Sequence, residues 1–83
     1  MSFSPEDRVV AVVQQVFEER SIERSVCPDD SLMEVGLTSL DTVKLVLMVE
    51  NEFDLMLPIE EITPANFRSI AAISRLVSRL LNE

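Results

Sequence analysis

Apolar side chains at Val9, Val10, Val13, Val16 and Phe17 fall on one side of a helix, with Gln14, Gln15, Glu18 and Glu19 largely off that stripe. The start is signalled by Ser4-Pro5-Glu6-Asp7. Serine suits the N-cap, proline the first helical position, and the two acids face the positive end of the helix dipole. Valine is a weak helix former, so packing must hold this helix, which should end near Arg20 or Ser21. A second helix is predicted from Thr38 or Ser39 to about residue 53. Thr38 can cap it, with Asp41 as the acidic partner of a capping box and Asp54 and Pro58 at the exit. Residues 59–63, between Pro58 and Pro64, fit a short helical piece. A last helix is predicted over 67–81, capped by Asn66, with the stripe Phe67, Ile70, Ile73, Val77, Leu80 and Leu81. Arg68, Arg75 and Arg79 fall away from that stripe.

The connection over residues 21–37 is long for a compact domain. Leu32, Val35 and Leu37 should pin it to the core, through a turn of helix around 32–35. Gly36, the only glycine, should supply a conformation or close approach that a side chain would block. No useful period-2 stretch occurs. The pattern predicts an all-α fold in one domain, 1–83: a small four-helix bundle of three main helices and one short one.

The second helix carries more apolar surface than one packed side needs. Projected at ~100° per residue, Leu45, Val46, Val49 and Phe53 form one stripe, and Leu40, Val43 and Leu47 another. Glu50 and Asp54 border the second stripe on one side, Lys44 and Asn51 on the other. Either the helix lies at the bundle centre and buries both stripes, or the second lines a cargo exit or a partner-docking patch. An apolar patch rimmed by charge has the anatomy of a protein contact. Ser39 lies at the same end of the helix, which favours the second alternative.

Composition narrows the chemistry. The net charge is −8, from 15 acids against 7 bases, which disfavours nucleic acid and favours basic protein partners. No segment approaches the roughly 20 apolar residues of a membrane span. Glu6 and Asp7 precede any apolar run, unlike a secretory signal, so the cytoplasm is the expected location. Without histidine there is no His-based triad and no Cys/His zinc site, and the carboxylates lack calcium-loop spacing, so no metal is expected. Cys27, the only cysteine, allows no intrachain disulfide and is expected to be a partly buried structural thiol. Lys44 lies about half a turn round the helix from Ser39, a poor position for activating its hydroxyl. No catalytic residue is therefore expected. A phosphodiester attached to Ser39 by another enzyme would meet free backbone N–H groups at the positive end of the helix. Taken alone, Thr38-Ser39 reads as an ordinary helix start.

The wider motif changes that reading. Glu34-Val35-Gly36-Leu37-Thr38-Ser39-Leu40-Asp41-Thr42-Val43 resembles the attachment site of the acyl and peptidyl carrier proteins. In that family a Gly-Leu-x-Ser-Leu core presents the serine that receives 4'-phosphopantetheine. Glu50-Asn51-Glu52-Phe53-Asp54, Leu57-Pro58 and Asn66-Phe67-Arg68-Ser69-Ile70 follow in the family's order, so the resemblance covers almost the whole chain. It implies that Ser39 carries 4'-phosphopantetheine, covalently attached and taken from coenzyme A. Leu40, Val43, Leu47 and Glu50 fall on positions that members use for partner contact, and Asp41, Lys44 and Asp54 complete the expected partner-binding set. The implied partners are a phosphopantetheinyl transferase, a cargo-loading ligase or synthetase, and downstream acyl or aminoacyl transferases, with the carrier itself a monomer. Thr38 and Lys44 stand where fatty-acid-type carriers usually have acids. The wording at 66–70 looks more like the aminoacyl and peptidyl carriers. A specialised stand-alone aminoacyl or secondary-pathway carrier is thus expected, rather than the housekeeping fatty-acid carrier. The alternative is a non-enzymatic helical interaction domain without a prosthetic group. It would explain the acidity and the second stripe, but not the ordered match.

Overall fold

Ser4 starts the first helix, α1 (Pro5–Glu19), through a reciprocal cap. Its Oγ accepts the Asp7 N–H at 3.2 Å, and Asp7 Oδ2 accepts the Ser4 N–H at 3.4 Å. The structure, a computed structural model, describes residues 4–82. The helix ends as expected at Arg20 and Ser21. Ser21 turns left-handed at φ 55°, and the Ile22 N–H reaches back to the Phe17 carbonyl at 2.8 Å. That closes the helix in a Schellman-type turn without a glycine.

Helix α2 spans Ser39–Phe53, a 3₁₀ turn spans Ile59–Glu61, and α3 spans Ile70–Leu81. No strand occurs among the described residues. The core joins Val9, Val13, Val16 and Phe17 of α1 to Leu45 and Val49 of α2 and Ile70, Ile73 and Val77 of α3. Leu32, Val35 and Leu37 are buried with them and pin the long connection, as predicted. Helix α1 packs along both other helices, which share far less contact with each other. The small helical bundle is thus the predicted fold class, with a 3₁₀ turn shorter than the predicted 59–63 piece.

Gly36 sits at φ +119°, a backbone region that favours glycine, and a Cβ there would stand 3.6 Å from Ile22 Cδ1. Asp54 is also left-handed, at φ 52° and ψ 50°, and caps the end of α2. Its negative charge lies at the negative end of the helix, whose last turn holds no base. Asp54→Asn keeps a residue tolerant of that backbone and removes the charge. It should raise stability by a few tenths to about 1 kcal/mol, read as an upward shift in a thermal melt.

The predicted start of the last helix is corrected. It begins at Ile70, capped by Ser69, whose Oγ accepts the Ala72 N–H at 3.1 Å. Asn66 instead donates its amide to the Glu61 carbonyl at 2.8 Å. The cause is tertiary. The Arg68 carbonyl accepts the Leu32 N–H at 2.9 Å, and the Ala71 N–H donates to the Pro28 carbonyl at 2.9 Å. These bonds draw the backbone before Ile70 away from a helical path. Leu76 is buried where the predicted stripe omitted it, and Leu81 is exposed. Cys27 is exposed rather than partly buried. Its N–H donates to Asp30 Oδ2 at 2.9 Å in a surface turn, while Pro28 makes the inward contact with α3.

Candidate functional site

The site is built on the start of α2. Thr38 is extended (φ −103°, ψ 177°), and its Oγ1 accepts the Asp41 N–H at 3.3 Å. Asp41 Oδ2 accepts the Thr38 N–H at 2.8 Å and the Thr38 hydroxyl at 3.0 Å. Arg20, at the end of α1, pairs with the same oxygen. Asp41 is only 6% exposed. The Thr38 N–H holds its carboxyl below the usual carboxylate range, with help from Arg20 and the Thr38 hydroxyl, while burial works in the opposite direction.

This network gives a pH prediction. A depressed folded-state pKa means that the ionised carboxylate stabilises the fold above the unfolded pKa, about 4. The contribution is lost as pH falls through the folded value. Asp41→Asn should therefore lower stability by about 1–3 kcal/mol at neutral pH, and the gap should narrow in melts run below about pH 4.

With Thr38 as the cap, Ser39 is left as the exposed first residue of α2. The N–H groups of Ser39 and Leu40 have no intrahelical acceptor in this first turn. No histidine exists to activate the hydroxyl, and the Lys44 ammonium is held by Glu19 of α1.

Leu40, Val43 and Leu47 are 81%, 58% and 61% exposed. The second stripe is therefore open surface, and the alternative of burial at the bundle centre is excluded. Ser39 stands at its head and Glu50 and Asp54 near its far end. The other expected partner residues differ in role. Asp41 is turned inward to the cap and Arg20, so it offers no free carboxylate on this face. Lys44 ties α2 to α1. Glu50 Oε2 accepts the Leu57 N–H at 2.8 Å, which anchors the loop after α2.

Two features had no signal in the sequence. Met56 and Ile59, exposed just beyond α2, extend the apolar surface, and Leu47, Leu55 and Met56 share a shallow groove with Glu50, Asn51 and Asp54. At the other end of α2, a cleft of about 490 Å³ opens beside Ser39. Met33, Thr42, Ile62, Thr63, Phe67 and Arg68 are among its walls. Its lining comes from three separated segments, so no single motif marks it. None of the lining residues is acidic, in a chain with 15 acids. Open space, an exposed hydroxyl and unused N–H groups fit an arm joined through a phosphodiester. Among the described residues no cluster of His, Cys, Asp or Glu is placed to hold a metal ion. No helix among them is long and apolar enough to cross a membrane.

A small helical bundle that presents an exposed serine at a helix start, with open space beside it, fits a carrier class of domain. The family described as "Phosphopantetheine attachment site" matches residues 7–77. The chain belongs to this family of acyl and aminoacyl carrier proteins, whose members hold the cofactor and do not themselves catalyse. It is 46% identical over 72 residues to Aminoacyl carrier protein 2 of Bradyrhizobium diazoefficiens, covering 87% of this chain and 81% of that protein. It is 42% identical to Aminoacyl carrier protein 1 of the same organism, covering 86% and 79%. The fold superimposes, with a TM-score of 0.74, on a chain of the crystal structure of Bradyrhizobium japonicum glycine:[carrier protein] ligase complexed with glycylated carrier protein. The identity there is 41%, over 86% of this chain and 96% of that one.

Proposed function

We propose that Ser39 receives 4'-phosphopantetheine from coenzyme A through a phosphopantetheinyl transferase, and that the protein then carries an aminoacyl group between enzymes. The observation that carries the assignment is the division of labour at the start of α2. Thr38 makes the cap, so the adjacent serine is exposed and free to be modified. The bound group supplies the thiol that holds cargo as a thioester; the protein supplies position and recognition. Likeness to two aminoacyl carrier proteins and to a glycylated carrier favours an amino acid, glycine first, over a fatty acyl chain. The loading partner is then an amino-acid:carrier-protein ligase, and downstream aminoacyl transferases take the cargo on. Leu40, Val43 and Leu47 form the centre of the docking face, with Glu50 and Asp54 as its acidic rim. A partner presenting an apolar patch beside basic residues complements it. In this reading the carrier works as a monomer, in the cytoplasm with the enzymes that load it.

Intact-mass analysis tests the proposal in two stages. Incubation with coenzyme A, magnesium and a broad-specificity transferase should add one phosphopantetheine. Addition of ATP, glycine and a glycine:carrier-protein ligase should then add one glycyl group. Absence of the first addition overturns the attachment assignment. A first addition that no amino acid and ligase extends overturns the aminoacyl assignment alone.

A further inference from the structure

We propose that Arg68 holds the phosphodiester of the arm on Ser39, so that the arm rests folded in the adjoining cleft between transfers. This rests on Ser39 being the attachment residue. Ser39 and Arg68 line the same cleft, so a group tethered at one wall meets the other at high effective concentration. A contact too weak to capture a free ligand suffices for a tethered one. The walls suit such an occupant: Met33, Ile62 and Phe67 provide apolar surface, while Thr42 and Thr63 provide hydroxyls for amide groups.

Charge and position together point to Arg68. Arg8, Arg20, Lys44 and Arg79 are paired with Glu52, Asp41, Glu19 and Glu61. Arg24, Arg68 and Arg75 have no ion pair among the described residues, and of these three Arg68 alone lines the cleft, whose walls carry no carboxylate. Its guanidinium is shaped for a phosphate oxygen pair. The backbone under it is fixed, because its carbonyl accepts the Leu32 N–H at 2.9 Å and its neighbours Phe67 and Ser69 are buried. Stability does not account for the charge. Arg68 directly precedes the Ser69 cap of α3, the positive end of that helix, where a cation is unfavourable.

NMR on the apo and phosphopantetheinylated protein tests the proposal, with loading checked by mass. Loading should move the amide signals of Thr63, Ala65 and Phe67 as well as those next to Ser39. Arg68→Ala should shrink the cleft shifts and move the phosphodiester ³¹P signal. The docked-to-free ratio should fall by up to about fivefold, the reach of an exposed ion pair. Arg68→Lys should retain part of the effect, and Arg24→Ala, at another exposed arginine, should match the parent. Sodium chloride should reproduce the change in the parent and do little in Arg68→Ala, since screening acts on the same pair. Loaded protein whose shifts stay confined to residues 38–41, or whose cleft shifts and ³¹P signal ignore Arg68→Ala, overturns the proposal. Failure of every variant and the parent to gain mass overturns the attachment at Ser39 as well.

Discussion

Ser39→Ala should take up no phosphopantetheine and still melt at or slightly above the temperature of the parent. Loss of the hydroxyl removes the only acceptor atom assigned at the site, so the mass addition should vanish rather than weaken. The fold should not suffer, because the cap belongs to Thr38 and Asp41. Ser39 is exposed and already helical, and alanine is the better helix former by up to about 0.5 kcal/mol. Thr38→Ala should do the reverse. It removes the cap at a cost of about 1 kcal/mol, which lowers the melting temperature by roughly 4–8 °C in a domain of this size, and it leaves the acceptor in place. Parallel melts and intact-mass measurements on the two variants separate the roles of adjacent residues. A mass increase that persists in Ser39→Ala defeats the assignment. A large loss of stability in that variant defeats the division of labour between Thr38 and Ser39.

The Thr38 cap was legible in the sequence because capping is local. Thr38 and Asp41 are three residues apart, as are Ser4 and Asp7, and both pairs close the boxes their spacing implies. The exposed stripe Leu40, Val43 and Leu47 was legible for a related reason: helical period alone places it away from Leu45 and Val49. Where a position is decided by a distant segment, the sequence misleads. Asn66 looks like a cap, but hydrogen bonds of Arg68 and Ala71 with the Leu32 and Pro28 backbones hold the chain before Ile70 in another path and leave Ser69 to cap α3. Asp41 looks like an acid of a recognition face but is turned inward by Thr38 and Arg20. Glu50 has a second task that the sequence does not show, since its Oε2 accepts the Leu57 N–H. Residue type and period place a side chain on a face; they do not say which tertiary donor will claim it. The cleft beside Ser39 is of the same kind, assembled from residues far apart in the chain.

The proposed docking face yields the other large effect, from two leucines two positions apart. Leu45 is fully buried and Leu47 is 61% exposed, on opposite sides of α2. Leu45→Asp puts a charge into a core that offers it no partner. Lost packing of about 2–5 kcal/mol, together with the desolvation of a carboxylate, approaches or exceeds the whole stability of a small domain, about 5–15 kcal/mol at most. That variant should be unfolded at room temperature by circular dichroism. Leu47→Asp removes no buried contact and should melt within a few degrees of the parent. Its cost should fall on partners instead. A charge at the centre of an apolar interface, where truncation alone costs about 2 kcal/mol or more, should lower kcat/KM for loading at least ~30-fold by the rate equivalent of that energy. Glu50→Lys is a poorer probe of the same face, because it also frees the Leu57 N–H. Asp54→Asn is cleaner: it should slow association at low salt while raising the melting temperature, since its carboxylate is at the rim and at the wrong end of the helix dipole. Kinetics with the transferase and the ligase, alongside melts, decide the matter. If Leu47→Asp unfolds the domain, or is loaded as well as the parent, then Leu40, Val43 and Leu47 do not form the docking face.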